Sequence, residues 1–411
     1  MRRKKRGCLK SIFVASIVLC IILASIFIIF VKMDLAENPG KTEISFFEKV
    51  PYQETKENME ESSETGEIKS LFYYDLLSDE EKLAYREISI GLEEQKDNIY
   101  IHCEEPETAN RLLKYVLRDN PQYFWCDGGS STTSYEKLFG EETYSVITPE
   151  YNCSMEERMI KQEEIDASVS DILRDLPPGQ SEYDKILYVY EYVINNTDYD
   201  KDAEDNQNIY SVFVCHSSVC AGYTKSVQYL LQKVGVYSIY VTGTTKDGSL
   251  HAWNIVKCND RFYHLDATWG DPVYQQTEEL KPTEFDNITY DYMCCDDENI
   301  MKTHQPDRDY PYPECDSMEY NYYVVQGMYY DYYDRNTVLT VMNNTMYERK
   351  NPTVFKFSNS EAYVQARDAI THELYQITAQ NFCLFYGTSE AKFFYQDEDE
   401  LNKFTLYWEY P

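Results

Sequence analysis

Positive charge is in short supply in this chain. Its 411 residues hold 38 Lys and Arg against 71 Asp and Glu, a formal net charge of −33. Seven of those bases stand in residues 1–33, which contain no acid, so the remainder carries 31 bases, 71 acids and a formal −40. A field of that sign repels nucleic acid and anionic surfaces, and no nucleic-acid-binding module is present. The acidity reads first as solubility and second as a preference for cationic substrates. Other signatures are missing as well. There is no internal repeat and no glycine-rich phosphate loop. The acids of Met293-Cys-Cys-Asp-Asp-Glu298 do not follow an EF-hand pattern, which removes the case for calcium. Cys294, Cys295, His304 and Cys315 are poorly spaced for a structural zinc site. No metal and no cofactor is expected.

What is present is enough for a core. Apolar residues make up 43%, and the length suits two domains or one large one. Residues 11–31 carry no charge, and a run of about 20 such residues spans a bilayer. The basic flank Arg2 to Arg6 with Lys10 predicts a cytoplasmic N-terminus. Residues 1–33 therefore read as a signal anchor, 34–70 as a flexible acidic stalk, and the rest as exterior. Ten cysteines fall in that exterior part. Most are expected as buried thiols, with room for one or two bridges.

Residues 71–153 read as an N-terminal α/β accessory domain. Ser78 and Glu81 form a capping box opening a helix to about Gln95. Ile99–Cys103 reads as a strand. Ala109, Leu112, Leu113, Val116 and Leu117 make one face of a helix over 108–118. Tyr123–Cys126 and Thr143–Thr148 read as strands. Residues 154–300 read as the core domain. Ser154 and Glu157 open a long helix with the stripe Met155, Met159, Ile165, Val169, Ile172 and Leu176, and Ser181 caps another to about Asn195. The polar loop 197–208 offers Tyr199 as a cleft residue. Residues 301–411 complete the core. Seven tyrosines within 320–333 predict paired strands, as do 354–363 and 391–408, with a helix over 362–376.

The chemistry concentrates between Val219 and Pro272. Tyr223, Val227, Leu230, Leu231 and Val234 repeat at helical period, and Gly235 supplies a C-terminal stop. Ser217 and Ser218 offer caps. Cys220 then falls at the helix start, where unpaired N–H groups and the helix dipole favour an anion, and a thiolate is the nucleophilic form. Downstream, His251–Cys258 and Arg261–Asp266 alternate about an Asn259-Asp260 turn, a two-strand hairpin. That register faces Cys258 with Arg261, Trp253 with Asp266 and His251 with Thr268. It leaves His251 and Asp266 as diagonal neighbours on one face. An imidazole that shares the thiol proton and a carboxylate that orients the ring are the partners a thiol nucleophile needs. His264 shares the face and competes. His251 is preferred because it starts its strand, at a sheet end.

Cys220-Ala-Gly-Tyr, His251-Ala-Trp-Asn and Tyr263-His-Leu-Asp266-Ala-Thr-Trp together resemble the transglutaminase-like superfamily of papain-fold cysteine enzymes, strongly over Asp184–Pro272. The resemblance implies an α+β fold with a papain-like core, Cys220 as nucleophile, His251 as general base and acid, and Asp266 as orienting carboxylate. Tyr199, His216, Trp253, Asn254 and Trp269 fall in the substrate and oxyanion neighbourhood. The turn before the nucleophile, glycine-rich in relatives, here reads Val214-Cys-His-Ser-Ser-Val219, so Cys215 could modulate Cys220 or bond to it. The implied activity is cleavage of amide bonds in a peptide or protein through a thioester. Cross-linking, with an amine resolving the thioester, uses the same residues. A silent scaffold on the same fold is the reading from another class.

Overall fold

The computed structural model describes residues 71–135, 144–271 and 288–411. The expected anchor and stalk lie outside these residues, and no helix among them is long and apolar enough to cross a membrane. The chain divides into two units, one reaching Leu117 and including Gly128–Tyr151, the other holding Arg118–Asp127 and Asn152–Pro411.

In the first unit, Ser78 and Glu81 close their capping box and the helix Asp79–Glu93 follows. A three-stranded antiparallel sheet is built from β1 (Ile99–Ile101), β2 (Ser130–Tyr135) and β3 (Tyr144–Pro149), in the order β1-β3-β2. The helix Pro106–Asp119 buries Ala109, Leu112, Leu113 and Val116, as its apolar period requires.

The second unit opens with Tyr123–Cys126, expected as a strand. It instead folds into tight turns closed by Tyr123 N to Asn120 O and Cys126 N to Tyr123 O. All four side chains are buried, and the turn bonds take the N–H groups of Tyr123 and Cys126 that a strand ladder would use. The helices Met155–Asp175 and Glu182–Asn195 carry their Ser154 and Ser181 capping boxes. The first buries Ile165, Val169 and Ile172, but Met155 and Met159 are exposed. Two short parallel strands, β4 (Asp198–Tyr199) and β5 (Ser217–Ser218), precede the helix Cys220–Lys233. That helix buries Tyr223, Val227, Leu230 and Leu231.

The main sheet comprises β6 (Ser238–Thr245), β7 (Leu250–Cys258), β8 (Arg261–Leu265), β9 (Met293–Cys295) and β10 (His304–Pro306). It is antiparallel throughout, in the order β10-β6-β7-β8-β9. Asn259 and Asp260 take φ of 46° and 70°, the left-handed pair that a two-residue hairpin turn demands. Cys258 faces Arg261 as expected, and pairing runs to Asn254–Leu265.

The tyrosine-rich stretch departs from expectation. The side chain of Asn321, itself buried, caps a helical turn over Tyr322–Val325 while its amide donates to Asp291 O and Met293 O. Only β11 (Tyr329–Tyr330) is extended. It runs parallel to β12 (Thr353–Phe357), in a second sheet with β13 (Lys392–Glu398) and β14 (Lys403–Glu409). Helices Arg335–Tyr347, Ser360–Ala369 and Tyr375–Tyr386 supply Val338, Met342, Ala366 and Phe382 to its core beside Phe355, Phe404 and Trp408. A buried ion triad ties this sheet to the main one. Lys356 Nζ lies 2.6 Å from one oxygen of Asp291, and Lys403 binds the other.

Candidate active site

Cys220 is the first residue of its helix, preceded by Val219 in extended backbone with no side-chain cap. The serines expected to cap it do something else. Ser217 and Ser218 form β5, and Ser218 Oγ lies 2.7 Å from Ser211 Oγ and 2.9 Å from Asn206 O. The loop presses so closely on the first helical turn that a Cβ on Gly222 would sit 1.9 Å from Ser218 Oγ. Cys220 thus emerges, half-buried, from a clamped turn whose first N–H groups have no intrahelical acceptor.

The facing strand is bolted to this helix. Asn254 Nδ2 on β7 donates to Thr224 O at 3.1 Å. β7 begins at the exposed Leu250, which makes His251 the first buried residue at the sheet's end. His251 Nε2 lies 2.7 Å from Asp266 Oδ2, and the Cys220 side chain acts on its ring. The expected strand pairs Trp253–Asp266 and His251–Thr268 do not form. β8 ends at Leu265, and Asp266 becomes the cap of the helical turn Ala267–Gly270, its Oδ1 accepting from Trp269 N at 3.0 Å. The cap swings the carboxylate to His251 by a route that strand geometry alone would not produce.

Burial works against a charged His251, but the Asp266 carboxylate and its hydrogen bond, with the Cys220 side chain, outweigh it and push its pKa up to about 10. Burial alone would raise the Asp266 carboxyl. The imidazoles of His251 and His304 reverse this and hold it well below the usual carboxylate range. His304 is the residue that sequence reasoning missed in this role. Its Nε2 lies 3.0 Å from the same Asp266 oxygen. It stood only among candidate metal ligands, on a strand 38 residues away with no motif around it.

The remaining expected site residues are distributed as follows. Trp253 is buried within the sheet packing, its ring stacked 6.0 Å from that of His251 and its N–H donating to His264 Nδ1 at 3.0 Å. The amide of Asn254 is taken by the helix. Neither has its donor free for a substrate oxygen. Trp269 sets its ring edge-on to His251 at 6.3 Å. Tyr199 lies on β4 with its ring 6.3 Å from Tyr223. His216 takes a left-handed φ of 56°, with Nδ1 3.1 Å from Asn196 O. All ten cysteines of the described residues are free thiols, so neither the Cys215–Cys220 bond nor another bridge forms. Burial and surrounding acids push the exposed Cys215 thiol up.

Two groups bring metal-ligand types together, His251 with Asp266 and His304, and His264 with Asp297 and Cys315. In the first, an ionised carboxylate has no proton to give, so each Nε2 spends its proton on Asp266. In the second, the indole N–H of Trp253 claims His264 Nδ1 as acceptor, which leaves Nε2 protonated and donating to Asp297 at 2.8 Å. Both imidazoles of the first group and the imidazole of the second are committed to hydrogen bonds in which the ligating nitrogen is a donor.

Among solved structures the chain is similar to a TGase, at 16% identity over 46% of this chain and 53% of that one, with a TM-score of 0.25. It is also similar to a protein from Cytophaga hutchinsonii assigned to the cysteine proteases, at 14% over 35% and 64%, with a TM-score of 0.24. Menin gives 13% over 57% and 56%, with a TM-score of 0.22. The chain thus spans about half the length of the TGase it matches. No curated protein matches it. A family model does, that of the Transglutaminase-like superfamily, over residues 171–267. That span contains Cys220, His251 and Asp266, and over it the chain carries a domain of the transglutaminase-like superfamily.

Proposed function

We propose that the chain is a thiol enzyme that cleaves amide bonds of peptide or protein substrates. The observation that supports this reading is Cys220 at a helix N-terminus, acting on the His251 ring that Asp266 holds at 2.7 Å. Cys220, as thiolate, attacks the substrate carbonyl carbon. The resulting oxyanion is met by the backbone N–H of Cys220, one donor of the hole. The C–N bond breaks, the leaving amine takes its proton from the His251 imidazolium, and a thioester remains. Water then gives a proton to His251 and attacks the thioester, releasing the acid and restoring the thiolate beside the imidazolium. Asp266 keeps the imidazole ring in place and stabilises its charge. The family domain supports the general thiol chemistry and does not choose between water and an amine as the second nucleophile.

The uncharged run 11–31 behind a basic flank supports a membrane-anchored chain with its catalytic region outside the cytoplasm. Glutamine-containing peptides offered to purified protein, with and without a primary amine, test the reaction. Release of ammonia or peptide fragments that Cys220→Ala abolishes is the expected result. Amine incorporation in place of hydrolysis would move the reading to cross-linking. Turnover unchanged in Cys220→Ala would overturn it.

A further inference from the structure

The carboxylate of Asp266 has one partner more than a thiol, an imidazole and an acid require. We propose that His304 is a positioning residue of this site, holding Asp266 Oδ2 on His251 Nε2 through a tautomer that Thr303 and Tyr292 fix. The inference deepens the reading of Cys220 as nucleophile and rests on it.

Hydrogen-bond polarity supports the assignment. Asp266 is an acceptor only, so His304 must present an Nε2 proton across the 3.0 Å gap. Its Nδ1 lies 2.8 Å from Thr303 Oγ1, whose oxygen lies 2.7 Å from the hydroxyl of Tyr292. Read in one direction, Tyr292 donates to Thr303, Thr303 donates to Nδ1, and Nε2 donates to the carboxylate. The Thr303 hydroxyl also lies 3.4 Å from Ile300 O, a carbonyl that Thr303 N already bonds, so the nearer Nδ1 takes its proton. With Trp269 N–H on Oδ1 and His251 on Oδ2, the carboxylate has three fixed donors and no freedom to turn.

The fold is arranged to deliver this imidazole. β10 joins the edge of the main sheet through His304–Thr245 and Pro306–Gly243. A Cβ on Gly243 would lie 2.2 Å from Gln305 O and 2.8 Å from the Trp253 ring, so only glycine lets the strand close. Rings of Trp269, Tyr292 and His251 stand 4.7, 5.2 and 5.2 Å from that of His304 and wall it in.

The extra donor has two effects of opposite sign. It aligns the carboxylate, and it draws off part of the charge that would otherwise bear on His251. Removing it should slow the site and let His251 keep its proton to higher pH. Other titrating neighbours do not obscure this. Tyr190, from helix Glu182–Asn195, and Tyr292 face Asp266, and burial drives both phenols far up. Asp291 beside them is held ionised by Lys356 and Lys403. His304 also acts on His264, whose pKa burial keeps down. Cys220 faces His251.

The test is alkylation of Cys220 in the full-length protein by iodoacetate and by iodoacetamide across pH. The anionic reagent is drawn by an imidazolium and the neutral one is not, so the ratio of the two rates titrates His251. His304→Leu should slow alkylation about tenfold, the scale of one charge-assisted hydrogen bond, and move the midpoint of the ratio up by about half a pH unit. His304→Gln, which restores one N–H donor, should recover the rate to within about threefold. Thr303→Val leaves the imidazole in place but frees Nδ1. It should shift the midpoint in the same direction by less, and it decides the matter if His304→Leu does not fold. Unchanged midpoints in the Leu and Val variants, or a Gln variant as slow as Leu, would overturn the role of His304. A wild-type Cys220 that alkylates no faster than the other thiols would instead overturn the nucleophile reading.

Discussion

Replacing Asp266 with Asn is the sharpest single perturbation, because it removes a charge while keeping shape. Asn is as good a helix cap as Asp, so the bond to Trp269 N, and with it the turn Ala267–Gly270, should persist. The electrostatics change completely. Raising His251 from an ordinary 6.5 to about 10 corresponds to roughly 5 kcal/mol in favour of the imidazolium. Asp266 supplies the largest part of that, and burial opposes it. Only part of it belongs to the carboxylate, but losing that part should discharge the imidazolium of the variant at a pH well below the wild-type value of about 10. The asparagine NH2 also meets N–H donors from His251 and His304 where an acceptor stood. The assay is the ratio of Cys220 alkylation rates by iodoacetate and by iodoacetamide from about pH 6 to about pH 10, with the urea unfolding midpoint measured alongside. A folded variant whose ratio falls at the same pH as in wild type would refute the electrostatic reasoning.

The same groups predict how stability depends on pH. His251 is raised by folding, so its contribution is complete below about 6.5 and lost as pH rises through about 10. Thermal melts should fall across that window in the wild type and much less in Asp266→Asn. Asp291→Ala leaves Lys356 and Lys403 buried without their counter-ion, and urea unfolding should register a loss of roughly 3–5 kcal/mol. A loss below about 1 kcal/mol would mean that water reaches the triad. Gly222→Ala sets a methyl against Ser218 Oγ. It should displace the Cys220 turn and cut alkylation at least about tenfold, at a stability cost of roughly 1–3 kcal/mol.

Much of the site could be read from the chain because its parts are local. Period two on both sides of Asn259-Asp260 fixes a hairpin whose register the structure repeats at Cys258–Arg261. Period 3.6 places Tyr223, Val227, Leu230 and Leu231 on the buried side of the helix that starts at Cys220. The parts that escaped depend on distant packing. His304 reaches Asp266 only because Gly243, some 60 residues earlier, lets an edge strand close. Met155 and Met159 obey the apolar period of their helix, yet no partner in the described residues covers them. The tyrosines over 320–333 suit a strand by propensity, but Asn321 answers the carbonyls of Asp291 and Met293 and commits the stretch to a helical turn. The helix Arg335–Tyr347 was not anticipated, although Asp334 caps it through Thr337 N at 2.7 Å.

The most direct measurement compares two thiols five residues apart. Cys215 is the exposed one, and Cys220 is half-buried. Brief treatment with iodoacetamide at pH 6, followed by peptide mapping, asks whether exposure or the imidazole governs reactivity. Modification of Cys220 ahead of Cys215 and the other thiols is the predicted result. Modification of Cys215 first, with Cys220 untouched, would contradict the account.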